Sequence, residues 1–138
     1  MTITDDATLR RLLCPAGVIA LVGASEKPWR DSNAIMAYLL NAGYTVLPVN
    51  PAYNNVLGQK CYPGLRDLPM PVDIVNIFRN PHHLLPIIAD TVALLPKAVW
   101  MQSGVINEEA ARRAAAAGIS VVMDRCIAVD HRRLCNAQ

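Results

Sequence analysis

Long unbroken apolar runs are missing from this chain. The best stretch, Leu84 to Leu95, is interrupted by Pro86 and Asp90 and falls well short of the roughly 20 residues a membrane span requires. No bilayer-crossing segment is expected. Asp5 and Asp6 precede any hydrophobic run, the wrong order for a secretory leader. Excess charge of one sign is also lacking: 13 Lys and Arg against 11 Asp and Glu leave a formal +2. A field that weak does not hold nucleic acid or a membrane surface, so an anion must be held by a few placed cations. The four cysteines, Cys14, Cys61, Cys126 and Cys135, include no Cys-x-x-Cys pair and no His at zinc spacing. They read as separate reduced thiols of a cytoplasmic protein. Low-complexity tracts, linker composition and internal repeats are absent too, which leaves one domain over residues 1–138.

What is present is a core. With 138 residues, 53% of them apolar and 17% charged, roughly 68–70% of the unfolded chain's surface can be buried without metal or disulfide, and disorder or coiled coil is excluded. Val18 to Val22 is a continuous apolar run ending at Gly23, as a strand buried on both faces should be. Further strands follow at Thr45 to Val49, Val72 to Phe78, Ala98 to Met101 and Ile119 to Met123. Between them lie helical patterns: Ile35/Leu39 and Met36/Leu40 before Gly43, Pro81 to Leu94 capped by Asn80 and bent by Pro86, and a helix opened by Asn107 and closed by Gly118. A leading helix is expected within residues 1–16, packed through Leu9, Leu12 and Leu13, and a loose tail over 135–138. Strands alternating with helices, without hairpins, predict a doubly wound, Rossmann-type α/β fold of about five parallel strands with helices on both faces. Pro51 to Pro71, rich in Pro and Gly, is a long irregular connection with room for one short turn near Leu65 to Leu68.

In such a sheet ligands bind at the carboxyl ends of the strands. The strand ends place Lys27, Arg30, Arg79 and Arg125 on one edge, beside the small residues Gly23, Ala24 and Ser25 and ahead of a helix N-terminus, a setting for phosphate. Nicotinamide dinucleotide fits poorly. The Gly-x-Gly-x-x-Gly spacing is missing, and the second strand ends Val49-Asn50-Pro51 with no carboxylate for a ribose diol. An adenosine carrying a ribose phosphate, as in coenzyme A or NADP, is compatible. Ser32 reads as the cap of the next helix. Cys126, next to Arg125, is either an activated thiol or a small buried apolar residue. No His, Ser, Cys and carboxylate spacing forms a triad or a metal site, so no catalytic residue and no metal ligand is assigned.

The run Gly23-Ala24-Ser25, Lys27-Pro28, Val49-Asn50-Pro51, Val72-Asp73-Ile74-Val75, Phe78-Arg79, Trp100-Met101-Gln102 and Met123-Asp124-Arg125-Cys126 resembles the small stand-alone CoA-binding domain proteins, and through them the CoA-binding N-terminal domain of the succinyl-CoA synthetase alpha subunit. The resemblance implies that Gly23, Ala24, Ser25 and Lys27 hold phosphates, that Asn50 and Pro51 line the nucleotide end, and that Phe78, Arg79, Met101 and Gln102 border the cofactor's path. Ala52 stands where such proteins usually carry a basic residue, and Ser103 where they carry Leu. The phosphohistidine domain and ATP-binding subunit of the synthetase have no counterpart in these residues. The expected function is non-catalytic binding, sensing or delivery of CoA or an acyl-CoA, with no nucleic-acid or membrane partner. The alternatives are an NADP-binding oxidoreductase-like protein and a subunit that completes an acyl-CoA ligase in trans; self-association is compatible with each.

Overall fold

A computed structural model of the chain describes residues 2–135. In chain order the elements are α1 (Asp6–Leu13), β1 (Val18–Val22), α2 (Asp31–Asn41), β2 (Thr45–Val49), β3 (Asn55–Val56), β4 (Gln59–Lys60), β5 (Ile74–Ile77), α3 (Leu84–Leu94), β6 (Ala98–Met101), α4 (Glu108–Ala116), β7 (Ser120–Met123) and α5 (Ile127–Cys135). Five strands form one parallel sheet in the order β2-β1-β5-β6-β7. The chain winds outward from β1 to β2 and then returns past β1 to begin β5, so strand order reverses between β1 and β5.

Strand side chains alternate between two buried layers. Ala20, Val22, Val75, Ile77, Val99, Met101 and Val121 face α3 and α4, through Leu84, Ile88, Ala110 and Ala114. Ile19, Leu21, Ile74, Trp100 and Val122 face α1, α2 and α5, through Leu9, Leu13, Met36, Leu39 and Ile127. A strand covered on both faces has no polar side to show, which is why each reads as a short unbroken apolar run. The doubly wound fold is as the sequence indicated. Local signals also act as read: Asn107 accepts the Ala110 N–H at 3.0 Å to cap α4, and Gly43 and Gly118 close α2 and α4 at φ +100 and +83.

Several readings need correction. Pro81–His83 is a separate 3₁₀ turn, capped by Asn80, and α3 begins only at Leu84. Pro86 then lies in the first turn of α3, where its missing N–H would have had no partner and proline is tolerated. The irregular connection contains a hairpin, β3–β4, turned by Leu57 and Gly58 at φ +49 and +77; strands of two residues carry no alternation to read. The end of the chain is not loose through Cys135. Helix α5 runs to that residue, which is disulfide-bonded to Cys14 at the end of α1, while 136–138 of the expected tail lie outside the described residues. Cys14 and Cys135 are therefore not separate thiols. They are 121 positions apart, a separation at which sequence alone gives no pairing. Cys61 and Cys126 are free.

Candidate functional site

The register aligns the carboxyl ends of all five strands. Val22 lies opposite Val49 and Ile77, Ile77 opposite Met101, and Met101 opposite Met123. The next residue of each strand, Gly23, Asn50, Phe78, Gln102 and Asp124, therefore leaves the sheet along one edge. A groove of about 1040 Å³ follows this edge across the point where strand order reverses. Its lining runs from Asn50 and Tyr53, past Gly23 to Ser25 and Phe78 to Asn80, to Gln102, Ser103 and Cys126.

The first loop is built tightly. Gly23 sits at φ +90, and a Cβ there would come within 3.2 Å of Arg79 Cδ and 3.3 Å of Phe78 Cβ. Glycine is needed both for the backbone conformation and for close packing of the β1 and β5 ends. Ser25 Oγ accepts the Lys27 N–H at 3.1 Å, and Asn33 Nδ2 donates to the Ser25 carbonyl at 2.9 Å. The N-cap of α2 is Arg30, with no side-chain cap bond. Ser32, expected at that cap, lies inside the first turn and lines the groove. The α2 N-terminus thus presents unpaired N–H groups and the positive end of the helix dipole to the groove. Lys27, Arg30 and Arg79 line the same space, and among the described residues none of them is ion-paired; Lys27 Nζ lies 6.0 Å from the centre of the exposed Trp29 ring. Asp31 is the acidic residue on this stretch of wall.

Other predicted residues do structural work or lie elsewhere. Asn50 donates from Nδ2 to the Ala24 carbonyl and accepts the Ala52 N–H on Oδ1, each at 2.8 Å, so it ties the β2 loop to the β1 loop while lining the groove. Pro51 lines an adjoining cavity of about 270 Å³ with Val49, Pro63, Leu65 and Ile87; Gly23 and Arg79 border both spaces. Met101, expected along the cofactor's path, is fully buried in the layer beneath α3 and α4 and lines neither cavity. Arg125 does not face the groove as a free cation. Its guanidinium donates to both Asp130 oxygens, at 2.7 and 2.9 Å. The nine predicted residues that do line the groove are Gly23, Ala24, Ser25, Lys27, Arg30, Asn50, Phe78, Arg79 and Gln102.

The far end is fixed by a polar network the sequence does not display. Asn76, fully buried in β5, donates from Nδ2 to Gln102 Oε1 at 3.2 Å. The Ile127 N–H donates to the same oxygen at 3.3 Å. Asp124, at φ +61, accepts the Gly104 N–H at 2.8 Å, and the Trp100 indole N–H donates to the Arg125 carbonyl at 2.8 Å. These bonds hold the loop after β7 against the loop after β6 and bring Cys126 to the wall. Trp29, Tyr53, His83 and Val105 are further lining residues that sequence reading missed; they come from loops and helix starts, where no periodicity marks a direction. Among the described residues no cluster of His, Cys, Asp and Glu has the makings of a metal site, and no helix is long and apolar enough to cross a membrane.

Comparison with known proteins gives a consistent picture. The family model described as "CoA binding domain" matches residues 17–132. The Bacillus subtilis protein named uncharacterized protein YneT is 35% identical over 125 residues, covering 91% of this chain and 93% of its own. An ADP-forming acetate–CoA ligase of Archaeoglobus fulgidus is 38% identical over 91 residues, which are 66% of this chain but 12% of the ligase. Among solved structures, a hypothetical protein from Pyrococcus horikoshii superposes with a TM-score of 0.93 at 41% identity, over 97% of this chain and 96% of that one.

Proposed function

The chain belongs to the CoA-binding domain family, and on that premise we propose that it binds coenzyme A or an acyl-CoA in the groove along the sheet's carboxyl edge, as a non-catalytic binding, sensing or delivery module. The observation that carries this reading is the convergence of Lys27, Arg30 and Arg79, free of ion pairs among the described residues, with the uncapped start of α2 on one cavity. Gly23, Ala24, Ser25 and Lys27 would hold the pyrophosphate, backbone N–H groups and the ammonium sharing its charge. The ribose phosphate suits the remaining cations, because Asn50 stands at the end of β2, where a diol-binding protein needs an acid. Asn50 and Pro51 would border the nucleotide end, and Phe78, Arg79 and Gln102 the pantetheine arm.

Met101 and Arg125 have no part in this assignment. The ligase relatives contain far more chain than these residues match, and their acyl transfer is not carried over. A cytoplasmic setting is proposed from the thiol cofactor itself, since two of the four cysteines no longer argue for it. Calorimetric titration with CoA, dephospho-CoA and NADP tests the reading. CoA is expected to bind most tightly; equal binding of dephospho-CoA removes the role of the ribose phosphate, tighter NADP binding favours a dinucleotide protein, and failure of CoA to bind overturns the proposal.

A further inference from the structure

Cys126 occupies the end of the groove farthest from β2, at the N-cap position of α5, where its carbonyl accepts the Asp130 N–H at 3.1 Å. Its backbone is pinned on both sides: the Arg125 carbonyl accepts from the Trp100 indole and the Ile127 N–H donates to Gln102 Oε1. The second observation is Gln102 itself. It is 95% buried, at 5% relative exposure, yet lines the groove beside Cys126. The Ile127 N–H and the Asn76 amide fix its Oε1, which leaves Nε2 without a partner among the described residues. That amide donor opens on the groove with no partner among the described residues, so it is placed to meet a ligand's carbonyl, and Cys126 lines the same end of the groove.

We propose that Cys126 captures CoA covalently and reversibly by thiol–disulfide exchange. This rests on the CoA reading above and extends it to the far end of the same groove. Three strand spacings of about 4.8 Å, roughly 14 Å in all, separate the β1 end from the β7 end. A pantetheine arm, about as long as four extended residues, spans roughly 14 Å, so pyrophosphate over the Gly23 loop puts the terminal sulfur at Cys126. The amides of the arm pass Gln102 on the way. In the exchange, the Cys126 thiol gives its proton to solvent and the sulfur attacks one sulfur of CoA disulfide, the co-reactant. The Cys126–CoA bond forms as the CoA–CoA bond breaks, and the second CoA leaves as a thiolate that takes up a proton. Cys126 is oxidised and one CoA is reduced, so no outside oxidant is needed. Attack by a free thiol on the mixed disulfide reverses the step.

The test uses the whole protein, with its Cys14–Cys135 bond intact, incubated with CoA disulfide or with oxidised glutathione and read by intact-mass and peptide mass spectrometry. One CoA moiety is expected on the Cys126 peptide, formed at least about tenfold faster than the glutathione adduct because binding places the sulfur. Desulfo-CoA should suppress it, a reducing thiol should release it, Cys126→Ser should lose it and Cys61→Ser should keep it. An adduct on Cys61, equal rates with the two disulfides, or no protection by desulfo-CoA overturns the proposal. Calorimetry with desulfo-CoA separates the failures: binding without an adduct overturns covalent capture alone, whereas no binding overturns the CoA reading and the capture with it.

Discussion

Gly23 illustrates how much one residue decides. Any side chain there meets both a left-handed backbone and the Phe78 and Arg79 side chains within 3.4 Å. Gly23→Ala is expected to lower the unfolding free energy by about 1–3 kcal/mol, read as a shift in urea midpoint, and to weaken CoA binding because the phosphate loop moves with it. Lys27 has the opposite profile, since its side chain is exposed and, among the described residues, contacts only the Trp29 ring. Lys27→Ala should leave the urea midpoint unchanged and weaken CoA binding roughly 3- to 10-fold, with a shallower salt dependence. Unaltered affinity in that variant would remove Lys27 from the phosphate site. At this scale sequence reading was sound where the residue type limits the backbone, as at Gly23, and failed where direction mattered. Met101 and Gln102 are neighbours at one strand end; the pleat turns one into the core, and the chain's exit from the sheet leaves the other on the groove.

Helix α5 is the element on which the far wall depends, and it is held by charge, by ring contacts and by a covalent tie. Burial alone would raise the Asp130 carboxyl, but hydrogen bonds from Arg125 and Arg133 together hold it below its ordinary 3.8. Burial pushes His131 below 6.5, between the Tyr38 and Tyr44 rings and within 2.8 Å of the Tyr38 hydroxyl. Both shifts act in the same direction. In each case the unfolded chain binds the proton more readily, so stability rises with pH. The His131 contribution is intact above about pH 6.5 and declines below it, and the Asp130 contribution is lost as pH falls below about 4. Denaturant titrations at pH 8, 5.5 and 3.5 should show two successive losses, with the lower one smaller but still present in Asp130→Asn, because Asp5, Asp6 and Glu109 are also held below their ordinary values by hydrogen bonds. The Cys14–Cys135 bond closes a loop of 121 positions; its reduction should cost about 2–5 kcal/mol in unfolding free energy, and unchanged stability on reduction would show that α1 and α5 hold together without it.

For the molecule as a whole, the sheet acts as a rigid rail that brings five strand ends to one line, so residues more than 75 positions apart, Gly23 and Gln102, share a wall. Binding there should stabilise the entire fold. At a free ligand concentration about 100 times the dissociation constant, CoA should add about 2.7 kcal/mol to the unfolding free energy, seen as a rise in Tm, with dephospho-CoA giving less at equal concentration. No rise with CoA would mean that the groove does not take it.

The sequence by itself determined the doubly wound sheet, its five main strands, the helix boundaries at Gly43, Asn107 and Gly118, and the clustering of cations at the carboxyl ends. Each follows from local rules: unbroken apolar runs fit strands covered on both faces, and caps and glycines end helices wherever they stand. Only the tertiary structure decided which of those cations remain free, because Asp130 reaches Arg125 from the next helix turn while, among the described residues, no acid pairs with Lys27, Arg30 or Arg79. It also decided the pairing of Cys14 with Cys135, the buried Asn76–Gln102–Ile127 network and the place of Cys126 on the groove. Those are contacts between segments far apart in the chain, and no periodicity or composition records which distant side chains a fold will bring together.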